Sequence, residues 1–175
     1  FKTSACKHYL FYGSNEGLCS EITDNMSKEL KNANFSISDF DMQQILDEPS
    51  KMLDEANSIS FFGDKKLIRI FNATNKFSKF LKEFISTYNG DNIILVCAKD
   101  LKKTDSLPTL YREGKNLVCV PCYEDSPQII SNIIRLKFQE NGKNIDAKTL
   151  SFICDIAPSD RKILSSEIEK LILYL

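Results

Sequence analysis

The residues best placed for chemistry fall into a few small groups, and each lacks part of what its reaction would need. Gly13-Ser14-Asn15-Glu16-Gly17-Leu18-Cys19 follows a strand-like run and precedes a helix-like one, where a phosphate-binding loop would sit. Such a loop needs glycines for close backbone approach, a Lys for the β and γ phosphates and a Ser or Thr for magnesium. Here Gly13 and Gly17 are four positions apart instead of five, and Leu18-Cys19 stand where Lys and Ser/Thr are expected. Glu16 would add negative charge beside a phosphate. Gly13 and Gly17 therefore mark a degenerate, non-functional loop, and neither a nucleotide cofactor nor ATP hydrolysis is expected.

Cys119-Val120-Pro121-Cys122 has the spacing of a redox pair. Redox cysteines sit at a helix N-terminus that lowers the thiol pKa, whereas Cys119 falls in an apolar strand-like run. A zinc site lacks a second close Cys pair, and His8 is the only histidine. With one His, no Ser/His/Asp or Cys/His constellation is expected. Asp39 and Asp41 lack a base or metal partner set. The basic pairs Lys65-Lys66, Lys102-Lys103 and Arg161-Lys162 read as solvated turns, with Lys102 and Lys103 kept as possible contacts to DNA phosphates. No catalytic residue, metal or cofactor is expected.

Composition narrows the partners. With 23 basic and 24 acidic residues the net charge is −1, so a grip on duplex DNA through many phosphates is not expected. Any contact with DNA is local or shared with other subunits. No run of about 18 apolar residues, the length a membrane-spanning helix needs, occurs. The six cysteines read as reduced, buried thiols of a cytoplasmic protein, not as a disulfide framework. The chain has no initiator Met and ends on an apolar helical segment, so it is expected to be part of a longer protein.

The elements that must position these residues alternate. Strand-like runs cover His8–Gly13, Phe35–Phe40, Leu67–Phe71, Asn92–Ala98 and Leu117–Pro121. Ile93-Ile94-Leu95-Val96 is continuously apolar, as in a strand covered on both faces. Helix-like segments cover Glu16–Lys31, Ser50–Ile59 and Phe77–Tyr88, with Thr104–Glu113 weakened by Pro108. Alternation of this kind predicts an α/β fold with a parallel five-stranded sheet and right-handed crossovers. After residue 125 the pattern turns helical. Ser126-Pro127 opens one helix, which Asn141-Gly142 ends; Asp146 and Asp160 cap two more. The expected organisation is a sheet domain over 1–125 and a small helical domain over 126–175.

Phe61 and Phe62 stand side by side just before Gly63, where a short helix is expected to stop. Adjacent helical residues point about 100° apart, so one shallow face cannot bury both. Either one projects toward a pocket on a partner, or both are core residues.

In order and spacing, the chain resembles the delta subunit family of bacterial DNA polymerase III. The resemblance rests on Tyr9-Leu10-Phe11-Tyr12-Gly13 with Glu16, on Asp54-Glu55-Ala56-Asn57-Ser58-Ile59-Ser60-Phe61-Phe62-Gly63, and on Leu67-Ile68-Arg69-Ile70. Leu95-Val96-Cys97-Ala98-Lys99-Asp100-Leu101-Lys102-Lys103, Cys122-Tyr123 and Ser166-Glu167-Ile168-Glu169-Lys170-Leu171 continue it. The resemblance implies an AAA+-type (P-loop NTPase-like) sheet domain with a helical lid and no working ATP site. It also implies a collar domain, used for assembly, that this chain lacks. Ser60, Phe61 and Phe62 match the positions that bind the sliding clamp, with Phe61 in place of the commoner Leu. Pro158-Ser159 departs from the family near the lid turn.

The implied function is clamp binding and opening during replication, without hydrolysis of ATP, as part of a DNA-directed DNA polymerase (nucleotidyltransferase) holoenzyme. Implied partners are the clamp (beta subunit), the gamma/tau and delta prime subunits, and DNA within the assembly. Cytoplasmic, replisome-associated placement follows, with no membrane. A nucleotide-dependent or thiol-redox enzyme on an α/β scaffold is the alternative.

Overall fold

The computed structural model describes residues 6–58 and 65–174. Five strands, β1 (His8–Gly13), β2 (Ser36–Asp41), β3 (Lys66–Ala73), β4 (Ile93–Lys99) and β5 (Leu117–Pro121), form one parallel sheet in the order β2-β3-β4-β1-β5. The helices of this part are α1 (Glu16–Asn32), α2 (Met42–Asp47), α3 (Pro49–Asn57), α4 (Phe77–Thr87) and α5 (Ser106–Glu113). All five expected strands are present within a residue or two of their expected bounds.

The strand order dictates which face each helix covers. The connection from β1 runs outward to the edge strand β2, whereas β2, β3, β4 and β5 step back across the sheet. Right-handed crossovers in opposite directions put their helices on opposite faces. Leu10, Tyr12, Ile68, Ile70, Ile94 and Val96 accordingly point to one face and are buried with Ile45, Met52, Phe77, Leu81, Leu107 and Tyr111 of α2 to α5. On the other face Thr23 Oγ1 of α1 lies 3.4 Å from Cys97 Sγ of β4. Arg69 Nη1 there donates to Ser27 Oγ at 3.2 Å.

Two helical expectations change. No helix is expected at residues 42–47, yet α2 forms there, because Asp41 accepts from the Gln43 amide while Gln44 reaches back to the Asp41 amide. That reciprocal cap supports a helix too short for periodicity to reveal. Pro108 does not break α5. It lies in the first turn, where backbone N–H groups have no intrahelical partner to lose.

Residues 15–18 and 123–174 form a second compact unit, separate from the sheet unit of residues 6–14 and 19–122. Its helices are α6 (Pro127–Glu140), α7 (Ala147–Ile156) and α8 (Arg161–Leu173). Their caps are the expected ones: Ser126, Asp146 and Asp160 each accept from backbone amides of the first turn. Gly142, at φ +68°, takes the left-handed conformation that ends α6. The unit's core is Ile134, Phe138, Leu150, Leu164 and Ile168. Ile168 is thus interior, whereas Leu173 and Tyr174 are 85% and 90% exposed.

Candidate functional site

Ser60, Phe61 and Phe62, which the resemblance assigns to clamp binding, lie outside the described residues. The chain on either side of them is held by one polar network. Glu55, on the last turn of α3, accepts from Lys66 Nζ at 2.8 Å and from Ser38 Oγ at 2.6 Å. Lys66 opens β3, and its Nζ also donates to Ser58 Oγ and to the Glu55 carbonyl. Asn92 adds a second tie: its Nδ2 donates to the Ala56 carbonyl at 2.8 Å, and its Oδ1 accepts from the Lys66 amide at 2.8 Å. The carbonyls at the end of α3, which no helical amide reaches, are therefore met by side chains from β3 and from the residue before β4.

The ion pair at the centre of the network is partly shielded from water. The Lys66 and Glu55 side chains are 11% and 29% exposed, so the ion pair is screened less than a surface pair. The hydrogen bond from Lys66, with help from Ser38, holds the Glu55 carboxyl below the usual carboxylate range. Ser58 and Lys66 are thus fixed points on either side of the segment between them. Sequence reading placed Lys66 in a solvated turn and gave no role to Glu55 or Asn92. The corrected assignment depends on contacts between residues distant in sequence, which no local pattern carries.

Gly13 and Gly17 are each explained by packing. Gly13 has φ +138°, and a Cβ there would sit 2.2 Å from the Cys122 carbonyl oxygen. Only glycine permits both that conformation and that approach. The Cys122 amide donates to the Tyr12 carbonyl at 2.6 Å, which sets the contact. In the helical unit, a Cβ on Gly17 would meet Arg161 backbone nitrogen at 2.9 Å. Asn15 Oδ1 accepts from the Leu18 amide at 2.9 Å, filling the place at the start of α1 where a phosphate oxygen would bind. Asn15 Nδ2 donates to Asp125 Oδ2 at 3.1 Å, and Arg161 binds both oxygens of that carboxylate.

The Cys119–Cys122 spacing does not produce a pair. Residues three apart on extended chain point to opposite sides. Cys119 packs with the α2–α5 face, its Sγ donating to the Pro108 carbonyl at 3.7 Å, and burial pushes its thiol pKa up. Cys122 lies buried one residue past β5, its Sγ donating to the Val120 carbonyl at 3.9 Å. Among the described residues, no group of three or more His, Cys, Asp or Glu is arranged to hold a metal.

Asp39 forms a two-point pair with Arg69, at 2.6 and 2.5 Å, and Asp41 caps α2 while accepting from Asn72. Both aspartates are structural. Lys102 and Lys103 are exposed, on the turn between β4 and α5. No helix among the described residues is long and apolar enough to cross a membrane.

Comparison with known proteins agrees with this architecture. A curated relative, a probable DNA polymerase III subunit delta of Rickettsia prowazekii, is 28% identical over 165 residues, covering 94% of this chain and 50% of its own length. Among solved structures, the DNA clamp loader delta protein of Bacillus subtilis superposes with a TM-score of 0.64 at 16% identity, over 96% of this chain and 53% of its own. A replication initiator DnaA, solved with AMPPCP and single-stranded DNA, gives 0.63 at 12% identity, over 95% of this chain and 56% of its own. A RuvB of Thermotoga maritima gives 0.59 at 13% identity, over 93% and 54%. These likenesses establish the AAA+-type fold. The chain spans about half the length of these relatives. The family model for DNA polymerase III, delta subunit, matches residues 9–122, and the chain belongs to that family.

Proposed function

We infer that this chain carries the clamp-binding part of a clamp-loader delta subunit. Ser60, Phe61 and Phe62 would engage the sliding clamp (beta subunit), and α6 to α8 would form the helical lid. The observation that supports this reading is the Lys66–Glu55–Ser58 network. It ties the two ends of the segment carrying Phe61 and Phe62 to the sheet, so a partner can pull on that segment without unravelling α3. Rigid support of this kind lowers the ordering cost of binding.

The mechanism needs no chemistry of its own. A subunit that binds an opened clamp conformer more tightly than the closed one shifts the population toward the open ring. The chain would neither bind nor hydrolyse ATP itself; the gamma/tau and delta prime subunits would complete the assembly, with DNA inside it. Lys102 and Lys103 would be at most local contacts to DNA phosphate. The place of action would be the bacterial cytoplasm, at the replisome.

The test is co-elution of this chain with the sliding clamp of its own organism on size-exclusion chromatography. Joint elution that is lost with Phe61→Ala/Phe62→Ala supports the reading. Separate elution of the native chain refutes it.

A further inference from the structure

Asn-Gly occurs at Asn89-Gly90 and at Asn141-Gly142. In this dipeptide the side-chain amide is open to attack by the next backbone nitrogen, because glycine has no Cβ to hinder the approach. Both asparagines are exposed. Local sequence therefore makes the two sites alike, and the fold separates them.

At the end of α6 both reacting groups are engaged. The Gly142 amide donates to the Gln139 carbonyl at 2.9 Å, and Asn141 Nδ2 donates to the Lys137 carbonyl at 2.9 Å. Asn89-Gly90 lies between α4 and β4, outside helix and strand. Neither the Gly90 amide nor the Asn89 side chain has a hydrogen-bond partner among the described residues. The chain beside them is held instead. Lys7 Nζ donates to the Gly90 carbonyl at 3.1 Å and to Asp91 Oδ1 at 2.6 Å, and Lys65 also pairs with Asp91. Two ammonium groups against one carboxylate favour loss of a proton from the nearby Gly90 amide. The Tyr88 ring stacks on Phe84 with centroids 4.9 Å apart, and a Cβ on residue 90 would fall 2.2 Å from Tyr88 Oη. The packing thus keeps glycine after Asn89.

We propose that Asn89 deamidates spontaneously in the folded protein, giving aspartate and iso-aspartate, and that the change slackens the hold on the end of α3. Hydroxide takes the Gly90 amide proton, and the Gly90 nitrogen attacks Asn89 Cγ. The bond from Cγ to the side-chain nitrogen breaks, and that nitrogen takes a proton from water and leaves as ammonia. Water then opens the succinimide. Cleavage at Cγ leaves aspartate, whereas cleavage at the Asn89 backbone carbonyl leaves iso-aspartate, with the chain rerouted through Cγ. Water enters, ammonia leaves, and nothing is oxidised or reduced. Iso-aspartate adds a methylene to the backbone between Tyr88 and Asn92. Those two residues both donate to the Ala56 carbonyl, at 3.4 and 2.8 Å, and Asn92 Oδ1 accepts from the Lys66 amide. A lengthened loop moves them off these partners, and hydrogen bonds weaken steeply with misalignment. None of this depends on clamp binding.

The test ages the native, folded chain at pH 8 and follows both sites by peptide mass mapping, with enzymatic methylation to mark iso-aspartate. Asn89 should react at least about tenfold faster than Asn141, where two hydrogen bonds must open first. In urea the two rates should converge. The iso-aspartate form, separated by ion exchange, should show exchange of the Lys66 amide hydrogen about fivefold faster than the unmodified chain, the equivalent of one lost hydrogen bond. An Asn89 that stays intact or reacts no faster than Asn141 in the folded chain would overturn the proposal. So would a rate difference that persists in urea, or unchanged Lys66 exchange in the iso-aspartate form.

Discussion

Arg161 holds Asp125 at two points, Nε to Oδ2 at 2.5 Å and Nη2 to Oδ1 at 2.7 Å, with the two side chains only 15% and 5% exposed. Arg161 depresses the Asp125 pKa against the opposing effect of burial, and the Asn15 amide assists. The pair joins the start of α8 to the loop before α6. Its planar two-point geometry suits guanidinium in a way an ammonium cannot copy.

Arg161→Ala should destabilise the helical unit by about 3 kcal/mol, because it leaves a buried carboxylate without its counter-charge. Arg161→Ala with Asp125→Ala should cost less than the sum of the two single changes. Chemical denaturation of the three variants measures this. The pair's stabilisation should be complete above the ordinary Asp pKa, about 3.9, and fade as pH falls through the depressed folded value.

Leu18→Lys should not create ATP binding. The added Lys supplies one of the missing phosphate ligands, but Asn15 still caps α1 and Asp125 still places a carboxylate beside it. Equilibrium binding of a fluorescent ATP analogue with magnesium, on native and substituted chains, is expected to show no saturable binding for either. Micromolar binding to the native chain would contradict the reading of Gly13 and Gly17 as a degenerate loop.

His8 should give the fold a pH dependence. It is 8% exposed, edge-on to Phe84 and Tyr88, and its Nδ1 has no partner among the described residues. Burial, with help from the Lys7 charge, lowers its pKa to about 4. The unfolded chain takes up this proton near pH 6.5, but the folded chain resists until about pH 4. Stability is therefore full above pH 6.5 and declines as pH falls toward 4. The loss between pH 7 and pH 5 should be about 2 kcal/mol. His8→Phe should flatten the profile over that window, read by urea denaturation at each pH.

Phe61→Ala/Phe62→Ala should weaken clamp binding at least about 30-fold, the equivalent of about 2 kcal/mol for central apolar anchors. The melting temperature should change little. If the two rings were core residues, each change would instead cost several kcal/mol of fold stability, and the melting temperature would fall with the affinity. Lys66→Met offers a separate check. It removes the tie to Glu55 and Ser58 while keeping the aromatic pair, so affinity should drop by less than in the double variant.

The sequence by itself determined the layered part of this protein. Continuous apolar runs such as Ile93-Ile94-Leu95-Val96 fix a strand covered on both faces, and alternation with helical periodicity fixes a parallel sheet. Ser126, Asp146 and Asp160 announce the three later helices through local capping. The missing Lys and Ser/Thr after Gly17 are legible in the same way, because each is a matter of residue type at a near neighbour. Tertiary structure decided what depends on distant contacts. Cys119 and Cys122 look paired in sequence, yet the extended backbone turns them to opposite faces, and each sulfur finds a different backbone carbonyl. Lys66 looks like a turn charge until the sheet brings it to Glu55. Asp125 finds Arg161 only when α8 returns to the loop before α6. Hydrogen bonds and ion pairs act over a few ångströms in space, whereas sequence patterns report only neighbours along the chain.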